Sequence, residues 1–177
     1  MIQENREYEV IVVGGGPAGT TVASILSGEH GRRVLVLEKE KMPRYHVGES
    51  LMPFCWFSFN RLGVTEKLDE MGFVNKLSVQ FVTPDGKKSS PFYFFQHNDH
   101  PSSTTWQVTR SEFDEMLFEN AKAKGADCKD GVKVRQVLRD ENGATAGVEA
   151  EWEGGERVNY KAKMVVDCTG RDALVAS

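Results

Sequence analysis

The unbroken apolar run Val10 to Val13 stops abruptly at Gly14, Gly15 and Gly16. Apolar residues return at helical spacing from Ala18 to Leu26, and Arg33 to Leu37 (R-V-L-V-L) is apolar again. A short apolar run bounded by turn residues reads as a strand buried on both faces, and a 3.6-residue period reads as a helix with one buried side. The pattern predicts a strand over 7–13, a helix over 18–26 and a strand over 33–37, the βαβ order of a parallel sheet.

Further along, Phe54, Trp56, Phe57, Phe59 and Leu62 crowd a helical segment with Gly63 as its stop, and a second short helix from Thr65 ends at Gly72. Ser78 to Thr83, the turn Pro84-Asp85-Gly86 and Phe92 to Phe95 predict a β-hairpin. It interrupts the βαβ order, so residues 78–106 are read as an insertion that begins a substrate-facing layer. After the polar loop 96–104 and a strand over 105–109, Phe113, Met116, Leu117 and Ala121 mark one face of a helix from Arg110 to about Lys124. Ser111 and Asp114 have the Ser-x-x-acid spacing of a capping box. Three strands follow as a meander, Val132 to Leu138, Ala146 to Trp152 and Arg157 to Lys161. A separate buried-type strand, Lys163 to Asp167, then closes on Cys168-Thr169-Gly170.

At 177 residues, 40% hydrophobic and 27% charged, the chain suits one domain or little more. A formal charge of −4 without a basic block offers no general attraction to nucleic acid. No apolar run approaches the roughly 20 residues of a membrane span, and Met1 to Arg6 lacks a signal peptide's apolar centre, so a cytoplasmic address is expected. Cys55, Cys128 and Cys168 are odd in number and scattered, which predicts buried or half-buried thiols rather than a disulfide framework or a zinc site. His97 and His100 stand three apart with no further ligands beside them, and no metal is expected.

Gly14, Gly16 and Gly19 have the spacing G-x-G-x-x-G between a strand and a helix. In a dinucleotide site the first glycine makes the tight turn, the second lets backbone approach a diphosphate, and the third lets helix and strand pack closely. The helix start then directs free N–H groups and its positive dipole end at the phosphates, and Pro17 suits that first turn. Glu38 stands nineteen residues after Gly19, near the spacing of roughly 20 for a carboxylate that accepts a ribose hydroxyl. An acid there favours FAD or NAD over NADP. Next comes P-R-Y-H-V-G-E-S-L, residues 43–51, where Arg44 is placed to meet phosphate or adenosine, Gly48 to let backbone approach a flat ring, and Ser50 to cap the following helix or donate to a cofactor.

Four motifs in order resemble the flavoproteins of the p-hydroxybenzoate hydroxylase fold, and more closely their flavin-dependent halogenase and geranylgeranyl-reductase-like branch. They are G-G-G-P-A-G (14–19), P-R-x-x-x-G-E-S-L (43–51), Q-V-x-R-x-x-F-D (107–114) and D-C-T-G (167–170). The resemblance implies an α/β fold: a Rossmann-like FAD-binding βαβ sheet, a three-stranded β-meander and the beginning of a substrate-domain β-layer. It implies that residues 1–177 form the N-terminal portion of a larger flavoprotein, inactive alone, because the family's W-x-W-x-I-P and late G-D-A motifs do not occur in it.

Carried over by motif, Gly14, Gly16, Ala18 and Gly19 would hold the FAD diphosphate and Glu38 the adenosine ribose. Arg44, Ser50 and Arg110 would contact phosphate and ribityl, and Val134 would present backbone to the adenine. Lys76 aligns with the lysine that halogenases place between flavin and substrate. It would relay hypohalous acid, formed from halide and a flavin hydroperoxide, to an electron-rich aromatic or carrier-bound substrate, with a flavin reductase supplying reduced FAD. The alternatives are a hydroxylase or geranylgeranyl-type reductase of the same fold, a catalytically silent FAD-binding module and, last, an NAD dehydrogenase.

Overall fold

A computed structural model describes residues 2–174. In chain order its elements are β1 (Ile2–Val13), α1 (Pro17–Gly28), β2 (Val34–Glu38), α2 (Cys55–Leu62), α3 (Thr65–Glu70), β3 (Val74–Lys76), β4 (Ser78–Val79), β5 (Phe92–Tyr93), β6 (Thr105–Gln107), α4 (Arg110–Ala123), β7 (Asp127–Asp130), β8 (Val132–Arg139), β9 (Thr145–Trp152) and β10 (Arg157–Asp167). They fall into two units, one of residues 1–45 with 111–177 and one of residues 46–110.

The first unit is built on a six-stranded sheet in the order β7-β2-β1-β10-β9-β8. β1 pairs in parallel with β2 and β10, and β2 in parallel with β7. All five residues of β2 are buried, which explains a strand with no polar alternation. Successive side chains point to opposite faces. Val10, Val12, Val34 and Val36 therefore pack on one side with Ala23 of α1 and Phe118 and Ala121 of α4. Ile11, Val13, Leu35 and Leu37 pack on the other with Val132, Val134, Val148 and Tyr160 of the meander. Each such side chain stabilises the fold by roughly 1.5–3 kcal/mol when fully buried.

The antiparallel meander β8-β9-β10 is present as expected. The two strands expected over 157–161 and 163–167 are one strand, β10. Val158, Tyr160 and Ala162 continue a single inward alternation, and no turn residue separates the segments. β7 was not anticipated as a strand of its own, because Asp127-Cys128-Lys129-Asp130 has no apolar run; it is a half-buried edge strand recruited by β2.

In the second unit β3 pairs antiparallel with β6, Lys76 opposite Thr105. Residues 49–51 line the other edge of β6 through Val108 N–H to the Glu49 carbonyl (2.8 Å) and Leu51 N–H to the Trp106 carbonyl (3.1 Å). Phe59, Leu62, Val64, Leu68 and Trp106 are buried there, and the Trp106 indole N–H donates to Asp69 Oδ1 at 3.1 Å. Gly63 closes α2 in the left-handed region at φ 71°, as its sequence position predicted. The hairpin pairs Ser78–Val79 with Phe92–Tyr93 only, since Phe94–Gln96 turns into a 3₁₀ helix. Ser50 does not cap α2, whose cap position is Phe54; it bridges to Gln107 instead.

Candidate functional site

The turn between β1 and α1 is fixed by close backbone approaches. Gly14 has φ +107°, and a Cβ on it would lie 2.4 Å from the Cys168 carbonyl oxygen. A Cβ on Gly19 would lie 1.9 Å from the Gly14 carbonyl oxygen, so the helix sits directly against the turn. The small buried residues Thr20, Ala23 and Ser24 continue that contact along α1. Gly16 is different: among the described residues a Cβ there would meet only Arg44 Nη2, at 3.3 Å. Gly16 is also the N-cap, with no side-chain cap, and the first intrahelical bond runs from Thr20 N–H to its carbonyl at 3.0 Å. The N–H groups of exposed Ala18 and buried Gly19 precede that bond, so the helix end directs donors and partial positive charge outward.

Gly15, an unassigned position of the glycine motif, is equally constrained. Its N–H donates to Glu38 Oε2 at 2.7 Å, and a Cβ on it would press within 2.9 Å of both Glu38 Cβ and the Phe118 ring. Glu38 is only 5% exposed, and its Oε1 accepts from Glu40 N–H at 3.0 Å. Arg44, its side chain 8% exposed, lies between two carboxylates: Nε is 3.6 Å from Glu38 Oε1 and Nη1 is 3.3 Å from Asp114 Oδ2. These are ion-pair separations without good hydrogen-bond direction, and among the described residues Nε and Nη1 have no hydrogen-bond partner. A buried guanidinium with unused donors beside an uncapped helix start is equipped for an anion with several oxygens.

Asp114 corrects an expectation. α4 already begins at Arg110, so Ser111 lies inside the first turn rather than at a cap, and the fully buried Asp114 pairs with Arg44. Asp130 at the end of β7 supports the segment before Arg44 by accepting from Met42 N–H at 2.8 Å and Lys41 Nζ at 3.2 Å. Burial alone would raise its carboxyl, but those two donors hold it below its usual value. At the end of β10, Thr169 N–H and Oγ1 both donate to Asp167 Oδ1, at 3.0 and 2.6 Å, fixing the turn whose Cys168 carbonyl meets Gly14. Burial, and then the Asp167 carboxylate, push the Cys168 thiol up.

Gly14, Gly16, Gly19, Glu38 and Arg44 are thus gathered at one turn. Val134 lies in β8 of the same unit, where its side chain is buried and its pairing with Ala150 precedes a register shift. The remaining residues singled out from sequence belong to the second unit. Arg110 Nη1 donates to the Val47 carbonyl at 2.8 Å and lies 3.4 Å from that of Gly48, bracing a loop in which Gly48 has φ +110°. Ser50 is exposed. Lys76 Nζ donates to the Leu51 carbonyl at 3.3 Å and stands 5.8 Å from the Phe94 ring centroid, within cation–π range. Sequence reasoning missed the roles of Gly15, Asp114 and Asp130; the run of three glycines offered a signal for the first and the closing aspartate of Q-V-x-R-x-x-F-D for the second.

The chain is similar to known proteins. Over residues 7–177 the chain matches the family described as FAD binding domain. It is 31% identical over 171 residues to the flavin-dependent halogenase armH3 of Armillaria mellea, covering 96% of this chain and 33% of that protein. It is 34% identical over 189 residues to the 1H-pyrrole-2-carbonyl-[peptidyl-carrier protein] chlorinase of Pseudomonas fluorescens, covering 97% and 41%. The solved structure of the myxobacterial chondrochloren halogenase CndH superposes with a TM-score of 0.84 at 34% identity, over 92% of this chain and 37% of that one. The chain spans about a third to two fifths of the length of the curated relatives it matches. The match over residues 7–177, on a chain whose βαβ glycine turn faces a buried acid at the end of β2, makes this protein a member of the FAD binding domain family.

Proposed function

We propose that this chain is the FAD-binding portion of a halogenase-like, flavin-dependent oxidoreductase. The observation that carries the reading is the turn around Gly16, where an uncapped helix start, a space that only Arg44 Nη2 approaches and the buried acid Glu38 come together. These residues fit the ADP half of FAD. In this reading Gly14, Gly16, Ala18 and Gly19 hold the diphosphate on backbone N–H groups, and Arg44 directs Nη2, the nitrogen beside Gly16, to the same oxygens. Glu38 accepts the adenosine ribose hydroxyls on the lone pairs that Gly15 and Glu40 leave unused. Val134 offers main chain to the adenine, while Ser50 and Arg110 contact phosphate and ribityl.

FAD supplies the redox chemistry when bound, and the protein supplies placement and exclusion of water. Lys76 is assigned the relay of hypohalous acid to the substrate. Its support is positional: the Leu51 carbonyl and the Phe94 face keep a cationic donor in one place. The substrate is taken to be an electron-rich aromatic, free or carrier-bound. The carrier-bound form is suggested by the name of the Pseudomonas chlorinase. A flavin reductase completes the system as the source of reduced FAD.

Two measurements test this. Equilibrium titration of the intact protein should give tighter binding of FAD than of NAD, and the reverse order would overturn the cofactor assignment. Incubation of the larger flavoprotein of which this chain is read as a portion with reduced FAD, oxygen, halide and an electron-rich aromatic should give a halogenated product; hydroxylated product alone would move the protein to the monooxygenase branch.

A further inference from the structure

We infer that Asp114 is a positioning residue for the cofactor, acting through Arg44. The inference rests on the reading that Arg44 faces the FAD diphosphate. Asp114 is fully buried on α4, and its Oδ2 lies 3.3 Å from Arg44 Nη1. Glu38, the other carboxylate beside Arg44, is already committed: Oε2 to Gly15 N–H and Oε1 to Glu40 N–H, with Arg44 Nε 3.6 Å away. Asp114 is the carboxylate on the guanidinium's other side. Without it the buried cation would keep, among the described residues, only Glu38 at 3.6 Å from Nε as a counter-charge, and the guanidinium could turn away from Gly16.

The geometry of α4 supports a dedicated role. Asp114 and Phe118 are four residues apart and share one helix face. Phe118 reaches Gly15, where an added Cβ would come within 2.9 Å of its ring, and Asp114 reaches Arg44, whose Nη2 lies 3.3 Å from the position of a Cβ on Gly16. One helix face thereby sets both the backbone of the glycine turn and the cation beside it. Asp114 also lies beyond the first turn of α4, where the helix dipole has little use for a carboxylate, so it does not serve as a cap, and Arg44 stands beside it.

The test compares Asp114→Ala, Asp114→Asn, Arg44→Ala and Asp114→Ala/Arg44→Ala in the intact protein, titrating ADP, which carries the diphosphate, and adenosine, which does not. Asp114→Ala should weaken ADP roughly tenfold, the scale of one charge-assisted hydrogen bond, and leave adenosine unchanged. Asp114→Asn, which keeps the shape and an acceptor oxygen, should fall between, and it carries the test if the alanine variant does not fold. In the Arg44→Ala background the loss of Asp114 should cost nothing more in ADP affinity, which a purely structural aspartate would not predict. Unchanged ADP affinity in both Asp114 variants, an equal loss for adenosine, or additive losses in the double variant would overturn the inference. Unchanged ADP affinity in Arg44→Ala would instead overturn the reading of Arg44 beneath it.

Discussion

Alanine at Gly16 and alanine at Gly19 should separate binding from folding within a single turn. Gly19→Ala puts a Cβ 1.9 Å from a backbone oxygen that cannot move aside, so α1 must lift from β1 by more than an ångström. Overpacking of this kind costs about 3 kcal/mol, of which about 1 kcal/mol is recovered from the better helix propensity of alanine. The net loss of ~2 kcal/mol corresponds to a Tm lower by roughly 4–8 °C for a chain of this size. Gly16→Ala meets only the end of the Arg44 side chain at 3.3 Å, and its backbone, φ −76° and ψ −176°, suits alanine. Its folding cost is that of a poorer N-cap, about 1 kcal/mol at most.

The new methyl at Gly16, however, occupies the space assigned to the diphosphate. Losing one or two charge-assisted N–H contacts there costs about 3 kcal/mol, or roughly a hundredfold in FAD affinity. Thermal melts of the cofactor-free proteins and FAD titrations read the two effects independently. A Gly16 variant that melts far below wild type yet binds FAD normally, or a Gly19 variant with unchanged Tm, would refute the division of roles.

Three further outcomes follow from the same structure. Glu38→Ala removes a buried acceptor of two backbone N–H groups and should weaken FAD by ~1.5–3 kcal/mol in an equilibrium titration. Lys76→Ala should abolish halogenation while leaving FAD affinity intact; product analysis by mass spectrometry alongside the titration checks both, and halogenation at the wild-type rate would remove Lys76 from the chemistry. Burial raises the Cys128 thiol from an ordinary 9.0 to about 12. Its contribution to stability is therefore complete below pH 9 and lost as pH rises toward 12, so Cys128→Ala should flatten the fall of Tm with pH across that window.

The β1-turn-α1-β2 unit was legible in the sequence because its signals are local and redundant: an unbroken apolar run, glycines at fixed spacing, and an acid nineteen residues on. The meander was legible for the same reason, its strands alternating and its turns rich in glycine. What could not be read was set by distant partners. Asp114 has the spacing of a local cap but finds its partner seventy residues away in the chain, at Arg44. β7 becomes a strand only because β2 offers it an edge. Gly15 occupies a position that the motif leaves free, and it is constrained by Phe118 from α4, which no spacing rule connects to it. Arg44 and Arg110 were both singled out as cofactor contacts, yet only Arg44 lies at the glycine turn; Arg110 belongs to the other unit, bracing Val47 and Gly48.

The central claim is that the turn at Gly14 to Gly19, with Glu38 and Arg44, holds the ADP half of FAD. A crystal structure of the intact protein with FAD tests it most directly. The account predicts the diphosphate against Gly16 and the start of α1, within hydrogen-bond reach of Arg44, and the adenosine ribose hydroxyls on Glu38. An FAD bound with its diphosphate away from that helix start, or with Glu38 still bonded only to Gly15 and Glu40, would contradict it.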